Sequence, residues 1–204
     1  ERGDSPSFGT SVSDIQAFMQ HIEQEYQIPQ ENICVIAQSV GAVLVSTWLH
    51  DYAPKIRCAV LASPAFKVKL YVPFARQGLA LWSKVKGNFF VNSYVKAHYL
   101  THNKDRQESF NQDPLITRSI SARILLGLYE AAERVVADAQ AITTPIQLFI
   151  SGADWVVHHK PQHDFYNHLA SHIKERHVMS GFYHDTLGEQ NNHLVFLLMR
   201  RFIR

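Results

Sequence analysis

One short stretch, residues 32–42, constrains the fold of this chain more than any other. It begins with the apolar run Ile33–Ala37, passes through Ser39 and Gly41, and leads into the helical pattern Val40–Leu49. Apolar, β-branched runs of this length are typical of a strand that is buried on both faces of a parallel sheet. A strand, a tight turn centred on a serine and a helix together predict a nucleophile elbow, in which the serine hydroxyl is exposed.

Small residues on either side of Ser39 favour the tight turn. Ala37 and Gly41 bracket the serine, and we expect a bulky side chain at either position to collide with the backbone as the chain reverses. The following helix directs its amino terminus, and the backbone N–H of Val40, toward any negative charge that forms beside Ser39. An alternative explanation of the same pattern is that Ser39 only caps the helix.

The rest of the chain repeats the alternation of strand and helix. Three further stretches have strand character, namely Arg57–Ala62, Pro145–Gly152 and Lys174–Met179. The predicted helices are Ser11–Tyr26, Val40–Leu49, Pro73–Lys86, Ser119–Ala137, Pro161–Leu169 and Asn192–Phe202. Strands joined by helices form right-handed parallel units. We therefore expect an α/β fold with a mostly parallel sheet flanked by helices.

The composition is that of a globular protein and excludes several classes. Hydrophobic residues make up 46% of the 204 residues and charged residues 19%, which argues against disorder. The net charge of +2 argues against wholesale binding of nucleic acid. Cys34 and Cys58 lie in apolar runs, so we expect buried free thiols in a reduced, cytoplasmic compartment. No apolar run approaches about 18 residues, so no transmembrane helix is expected.

Residues 64–141 differ in character from the core segments 1–63 and 142–204. No acidic residue occurs between Asp51 and Asp105, and basic and aromatic residues alternate there. We expect a mostly helical cap inserted between two strands. Its basic, aromatic surface has three explanations: a solvated face over a small core, contact with lipid or an anionic membrane surface, and a platform for single-stranded nucleic acid. Nothing else in the sequence supports the third.

Three residues share one kind of location, just beyond the carboxyl end of a predicted parallel strand: Ser39, Asp154 and His184. Ligands and chemistry gather at that edge of such sheets. A serine hydroxyl becomes a good nucleophile when an imidazole takes its proton, and the imidazole needs a carboxylate on its other nitrogen. The chain order Ser, Asp, His is that of the α/β-hydrolases. The trio predicts a catalytic triad, although Asp154 alone is also explained as a cap of the turn after Gly152.

Histidines are frequent, and one pair has a spacing that suits a metal. His159 and His163 lie four residues apart, but Pro161 interrupts the helix between them and no carboxylate completes a zinc motif. We expect neither a metal nor a cofactor. The tripeptide Arg2–Asp4 matches an adhesion motif, but three residues recur by chance.

Three motifs resemble the α/β-hydrolases of the monoacylglycerol lipase and lysophospholipase-like branch. They are Ala-Gln-Ser-Val-Gly-Ala at 37–42, Ser-Gly-Ala-Asp-Trp-Val-Val at 151–157 and Gly-Phe-Tyr-His-Asp at 181–185. Ser-Pro-Ala-Phe at 63–66 and Asp-Pro-Leu-Ile at 113–116 resemble the lid of that branch. The resemblance covers nearly the whole chain and is greatest to the hydrolase half of bacterial hydrolase–methyltransferase fusions.

The resemblance implies a serine hydrolase that cleaves carboxylic esters through an acyl-enzyme. The implied substrates are small, lipid-like acyl esters of the monoacylglycerol or lysophospholipid type. Ser39 is implied as the nucleophile, Asp154 as the triad acid and His184 as the general base, with the Val40 N–H as one oxyanion donor. Two alternatives remain: a thioesterase or peptidase on the same triad, and a non-catalytic module of this fold that binds lipid or a partner.

We further expect Gln38, Phe66 and Trp155 to contact the substrate. The apolar, aromatic cap would hold the acyl chain, with transient contact to a membrane surface as the accompanying hypothesis. No nucleic-acid partner is expected.

The sequence departs from the family pattern at two points. Ala37 stands where the family usually has glycine, which a small-residue rule tolerates. The family also places several strands before the elbow, with the second oxyanion donor on a loop among them, whereas Glu1 comes just before the helix that precedes the elbow strand. The strand at Ile33 would then expose an unpaired edge, which folded proteins avoid. We therefore expect the carboxyl-terminal part of a larger hydrolase domain, whose missing part is cleaved, disordered or supplied by another chain.

Overall fold

Helices and strands alternate along the chain, as the apolar periodicity predicts. The computed structural model describes residues 2–69 and 75–204. Its elements, in chain order, are α1 (Phe8–Tyr26), β1 (Cys34–Gln38), α2 (Val40–Tyr52), β2 (Cys58–Ala62), α3 (Ala75–Lys86), β3 (Phe90–Asn92), α4 (Lys104–Gln112), β4 (Ser119–Ser121), α5 (Ala122–Ala137), β5 (Ile146–Ser151), α6 (His159–His168), β6 (Lys174–Met179) and α7 (His193–Ile203). Short 3₁₀ turns lie at Gln30–Asn32, Ala97–Tyr99 and Ala139–Ala141.

The four longer strands form one parallel sheet in the order β1-β2-β5-β6. The two central strands, β2 and β5, are buried along their whole length, which explains their predominantly apolar sequences. At one edge β6 begins with the polar run Lys174–His177, which suits an edge strand. At the other edge, within the described residues, β1 pairs with β2 alone, and Ile36 on β1 is 48% exposed.

Helices cover both faces of this sheet. On one face α1, α2, α5 and α6 bury a continuous apolar cluster that includes Trp48, Leu148 and Phe165. On the other face α7 packs Val195 into a smaller cluster with Phe149. Helices on both faces leave the carboxyl ends of the strands for loops, which is where such sheets build their sites.

The register of β1 and β2 places the two cysteines side by side. Cys34 pairs with Cys58 across the strands, and their sulfur atoms lie 3.3 Å apart as free thiols. Burial, together with the neighbouring Cys34, raises the pKa of the Cys58 thiol to about 12. Cys58 is buried as predicted, whereas Cys34 is only partly buried because β1 lies at the edge.

The predicted start of the helix at 119 is wrong. Ser119–Ser121 instead pairs antiparallel with Phe90–Asn92, and α5 begins at Ala122. The side-chain oxygen of Ser121 accepts a hydrogen bond from the N–H of Ile124, which caps the helix. The strand pairing engages the backbone ahead of the cap, so the helix starts later than the apolar pattern suggests.

The chain between β2 and β5 contains α3, α4, α5 and the antiparallel pair of strands β3 and β4. Helix α3 ends before Gly87, whose φ of +75° favours glycine, as predicted. The expected start of that helix at Pro73 lies outside the described residues. Helix α5 packs against α3 and also against α2 and α6 of the core. The division of the chain into 1–63 with 142–204 and a cap at 64–141 therefore stays a prediction.

A close approach between α1 and α5 yields a stability prediction. A Cβ atom built on Gly127 in α5 would lie 2.8 Å from the Cβ of the buried Phe8, whereas one built on Gly78 in α3 would meet no heavy atom of another described element within 4 Å. We expect Gly127→Ala to lower the free energy of unfolding by about 1–3 kcal/mol through overpacking. Gly78→Ala should raise it by up to about 1 kcal/mol through helix propensity.

Urea unfolding of the two variants beside the native protein measures both changes. The two glycines are matched, since each lies inside a helix. Equal shifts for both variants would contradict the close α1–α5 contact.

Candidate active site

Ser39 occupies a strained turn between β1 and α2. Its φ of 55° and ψ of −121° are uncommon for a residue with a side chain. The Ser39 N–H donates to the carbonyl of Ala62 at 2.9 Å, and the Ser39 carbonyl accepts from the N–H of Ala65 at 3.1 Å. The hydrogen bonds on both sides of the residue hold the strained turn and therefore fix the direction of the hydroxyl.

The structure leaves room for a Cβ atom at Gly41, so the collision expected of a bulkier side chain stays a prediction. A Cβ atom at this position meets no heavy atom within 4 Å among the described residues. The residue lies in the first turn of α2, on a side that no described neighbour approaches. Ala37, in contrast, is 9% exposed and packs in the core cluster, so the demand for a small residue applies there.

The structure brings Ser39, Asp154 and His184 together at the carboxyl edge of the sheet. The Nε2 atom of His184 lies 2.6 Å from the Ser39 Oγ, and its Nδ1 atom lies 2.7 Å from the Asp154 Oδ2. The other carboxylate oxygen of Asp154 accepts hydrogen bonds from the backbone N–H groups of Val156 at 2.7 Å and Val157 at 3.0 Å. With Nδ1 donating to the carboxylate, Nε2 is left to accept the serine proton.

Two opposing effects set the charge of Asp154. Its burial, at 3% exposed, raises the pKa of the carboxyl, but the hydrogen bond and charge of His184 and the N–H groups of Val156 and Val157 together outweigh burial. The net result is a pKa of Asp154 below its ordinary value. Asp154 is therefore ionised at neutral pH, as a group that stabilises a protonated imidazole must be.

A buried set of hydroxyls links the histidine loop to two strands. The Oγ1 of Thr186 lies 2.8 Å from the Ser63 Oγ after β2 and 2.9 Å from the Ser151 Oγ at the end of β5. All three residues are almost fully buried. Motif reading missed Thr186, although it follows His184 by two positions.

Glu189 is a second buried group that the sequence did not reveal. Its carboxylate accepts hydrogen bonds from the Thr101 hydroxyl at 2.9 Å, the His102 N–H at 2.8 Å and the Tyr183 N–H at 3.1 Å. Burial raises the pKa of Glu189, and hydrogen bonds from Gln190, Tyr183 and His102 lower it further than burial raises it. The carboxylate thus ties the loop before His184 to residues 101–102 of the inserted segment, a contact that no local pattern predicts.

A cavity of about 1060 Å³ opens beside Ser39 and His184. Val40 lines the cavity and is the first residue of α2, where N–H groups have no partner within the helix. Most of its walls are apolar side chains from the segment between β2 and β5, among them Leu79, Trp82, Phe110, Ile120, Leu125 and Leu128. The site therefore combines polar residues at the carboxyl ends of the strands with apolar cavity walls from the segment between β2 and β5.

The three residues expected to contact substrate lie in different places. Gln38 lines the cavity, and its side-chain amide is hydrogen-bonded to the loop after His184. Phe66 is 3% exposed and packs against Phe165, with ring centroids 4.7 Å apart. Trp155 is 49% exposed, with its ring 6.3 Å from that of Tyr99. Phe66 and Trp155 are not among the described residues that line the cavity, so their role in binding stays a prediction.

Residues 2–69 and 75–204 contain no group of three or more His, Cys, Asp or Glu side chains arranged to hold a metal ion. His159 and His163 accordingly form no such group within these ranges.

Comparison with known proteins identifies the family. The family model described as "Serine aminopeptidase, S33" matches residues 1–191. The chain belongs to this family. The prediction of an α/β-hydrolase from the monoacylglycerol lipase-like branch is confirmed, and with it the prediction of an enzyme family that performs hydrolysis.

Individual relatives of this S33-family chain show how much of each protein it covers. It is 60% identical over 202 residues to the uncharacterized protein YnbC of Escherichia coli (strain K12), which covers 99% of the chain and 34% of YnbC. It is 24% identical over 218 residues to phospholipase YtpA of Bacillus subtilis (strain 168), with 98% of the chain and 82% of YtpA covered. The chain thus spans about a third of the length of YnbC.

A solved structure shows the same fold. The crystal structure of the monoacylglycerol lipase from Paleococcus ferrophilus superimposes with a TM-score of 0.87 at 18% identity and covers 100% of this chain and 77% of that one. The mostly parallel sheet with flanking helices is therefore the α/β-hydrolase fold, as predicted from the sequence.

The lowered pKa of Asp154 predicts how stability depends on pH. A carboxylate whose pKa is lower in the folded state contributes stability above its unfolded pKa, and this contribution is lost as the pH falls through the folded value. We expect Asp154→Asn to lower the free energy of unfolding at neutral pH. The deficit relative to the native protein should shrink as the pH falls below about 4.

Urea unfolding at a series of pH values tests this linkage, with Asp113→Asn at the exposed end of α4 as the matched control. A deficit of Asp154→Asn that is the same at neutral and acid pH would speak against it.

Proposed function

We propose that this chain is the catalytic part of a serine hydrolase that cleaves carboxylic esters, with lipid-like acyl esters as substrates. The observation that carries the proposal is the Ser39 Oγ at 2.6 Å from the His184 Nε2, with Asp154 on the other ring nitrogen. The apolar cavity directly beside Ser39 supports an acyl chain as the group that is bound. The names of two similar proteins, a phospholipase and a monoacylglycerol lipase, agree with such a substrate.

The proposed reaction follows from the positions of these groups. Ser39 Oγ attacks the ester carbonyl carbon while His184 Nε2 takes the hydroxyl proton. The negative charge on the carbonyl oxygen is stabilised by the N–H of Val40 at the start of α2. Protonated His184 then gives its proton to the departing alcohol oxygen, and an acyl-enzyme remains on Ser39. A water molecule gives a proton to His184 as it attacks the acyl carbon. His184 returns this proton to the departing Ser39 Oγ, which releases the acid and restores the free serine.

A peptidase is the second candidate, because the family description names an aminopeptidase. An enzyme that recognises a free amino terminus needs an anionic partner for the ammonium group. Among the described residues that line the cavity, Asp185 is the one carboxylate, and Gln38 and Arg106 already donate hydrogen bonds to it. An incoming ammonium group would have to displace these donors, so the cavity favours an uncharged ester over an aminoacyl substrate.

A panel of aryl esters with acyl chains of increasing length tests the proposal on the full-length protein. Each added CH₂ that enters the apolar cavity is worth about 0.8 kcal/mol, so kcat/KM should rise by up to about fourfold per CH₂ until the cavity is filled. Ser39→Ala and His184→Ala should lower kcat by about 10⁶-fold, and Asp154→Asn by about 10⁴-fold.

Two additions to the panel separate the alternatives. A fluorophosphonate probe should label the native protein and leave Ser39→Ala unlabelled. An absence of labelling in the full-length native protein would support a non-catalytic binding module instead. Aminoacyl arylamides cleaved faster than the esters would favour the peptidase, and a matched thioester would reveal a thioesterase.

We also propose that α3 contacts a lipid surface. Three apolar side chains on this helix are strongly exposed, Leu81 at 67%, Trp82 at 51% and Val85 at 74%. Lys84 and Lys86 lie beside them in the last turn. Exposed apolar groups flanked by lysines suit the boundary of an anionic membrane. Within the ranges 2–69 and 75–204, no helix has the length and apolarity to span a bilayer.

Co-sedimentation with vesicles measures this contact. Leu81→Ser combined with Val85→Ser should weaken binding severalfold to vesicles of any charge, because apolar contact is lost. Lys84→Gln with Lys86→Gln should weaken it only for anionic vesicles, by about 1 kcal/mol for each lysine. Leu115→Ser serves as the control, since Leu115 is 71% exposed but does not lie on α3. Unchanged binding of both double variants would refute the contact.

A further inference from the structure

The chain neighbours of Ser39 and His184 are hydrogen-bonded to each other. Gln38 precedes Ser39, and Asp185 follows His184. The side-chain Nε2 of Gln38 donates to the Asp185 Oδ1 at 2.8 Å, and the Oε1 of Gln38 accepts from the Leu187 N–H at 3.0 Å. Both ends of one amide therefore join the elbow to the histidine loop, alongside the bond between Ser39 and His184.

The second carboxylate oxygen of Asp185 forms an ion pair with an arginine from the segment between β2 and β5. Arg106 on α4 donates to the Asp185 Oδ2 from Nε at 3.3 Å and from Nη2 at 3.1 Å. The backbone N–H of Asp185 donates to the Leu100 carbonyl at 2.7 Å, just before α4. The segment 100–106 thus holds the histidine loop through both the backbone of Asp185, at Leu100, and its side chain, at Arg106 on α4.

The backbone around this ion pair is shaped to admit it. The N–H of Gly188 donates to the Asp185 Oδ1 at 3.0 Å. A Cβ atom at Gly188 would lie 2.1 Å from the Asp185 Oδ2 and 2.6 Å from the Arg106 Nε, so a side chain there would displace the pair. Asp185 is 8% exposed, and its carboxylate has donors from three separate parts of the chain. An unpaired carboxylate at this depth would be costly, which favours the closed arrangement.

We propose that Gln38, Asp185 and Arg106 are positioning residues. They hold the Ser39 hydroxyl and the His184 imidazole at hydrogen-bonding distance, and they make this geometry depend on the packing of α4 against the histidine loop. The inference rests on the proposed function, because it assigns these residues to the proton transfer between Ser39 and His184. None of the three needs to touch the reacting atoms. Displacement of a reacting group by about 1 Å can lower the rate by about 100-fold. The hydrogen bond between Gln38, next to Ser39, and Asp185, next to His184, therefore affects kcat.

Four substitutions distinguish the contact of Gln38 with the histidine loop from the contact of Arg106 with Asp185. Gln38→Met keeps the length of the side chain and removes both hydrogen bonds to the histidine loop. Asp185→Asn keeps an oxygen for Gln38 and the backbone bond to Leu100 but turns an NH₂ group toward Arg106, so it removes the contact with Arg106 alone. Arg106→Met removes the donors and keeps the apolar stem, whereas Arg106→Lys keeps the charge and one donor. Gln112→Met, on the exposed side of α4, is the matched control.

Two readouts are measured on the full-length protein. The first is kcat and KM for a short-chain aryl ester, which does not depend on filling the apolar cavity. The second is the downfield proton resonance of the His184 Nδ1–H, assigned by its loss in His184→Ala. This resonance reports the His184–Asp154 bond whether or not the protein turns over substrate. The second readout therefore tests the positioning role even if the ester hydrolase proposal fails.

We expect Gln38→Met and Asp185→Asn to lower kcat by about 10- to 100-fold with KM changed less than about threefold. The resonance should broaden in both as the histidine loop becomes mobile. Arg106→Lys should recover part of the kcat that Arg106→Met loses, and Gln112→Met should match the native protein. Combining Gln38→Met with Arg106→Met should cost less than the product of the two single losses, because both act through Asp185.

Three results would overturn the inference. One is native kcat and a native resonance in both Gln38→Met and Asp185→Asn. Another is a loss of kcat that only matches the unfolded fraction of each variant at the assay temperature, as measured by circular dichroism. The third is equal kcat for Arg106→Lys and Arg106→Met.

Discussion

The parallel pairing of neighbouring strands is the interaction on which the rest of the site depends. The hydrogen-bond ladder continues one residue past the strands: the Ser39 N–H reaches the carbonyl of Ala62, the Ser63 N–H that of Phe149, and the Gly152 N–H that of Met179. Each loop therefore leaves the sheet already tied to the next strand. The strained turn at residue 39 is tolerated because the backbone on both sides of it is fixed, and the loops that carry the carboxylate and the imidazole start from the same edge.

Buried carboxylates organise the loops above that edge. Asp154, Asp185 and Glu189 are each less than a tenth exposed, and each accepts backbone N–H groups in addition to a side-chain donor. Burial of a negative charge is costly unless such donors surround it, so each carboxylate selects one loop conformation among many. The main effect of these buried charges is to fix the positions of the loops. The imidazole of His184 is thereby held in one orientation between Ser39 and Asp154.

The sheet and the elements around it could be predicted from the sequence, because buried strands are encoded by local apolar runs such as Cys58–Ala62. It also pointed to Ser39, Asp154 and His184 through their shared position after strands. It failed where distant pairing decides the outcome: Ser119–Ser121 joins a strand about 30 residues earlier in the chain, against its helical pattern. Arg106 gave no local signal, because its partner lies 79 residues away and meets it only once α4 has docked. The space around Gly41 could not be predicted either, because it depends on which distant elements pack beside the first turn of α2.

The chamber beside Ser39 has walls from one part of the chain and a floor from another. The floor is made by strand ends and their loops, whereas most apolar wall residues come from the segment between β2 and β5. Substitutions in that segment can therefore change the shape of the cavity while Ser39, Asp154 and His184 keep their positions at the strand ends. Few substitutions are then needed to change the shape of the cavity. The contact between Arg106 and Asp185 is the exception, because it joins the segment between β2 and β5 to the histidine loop and both residues must change together.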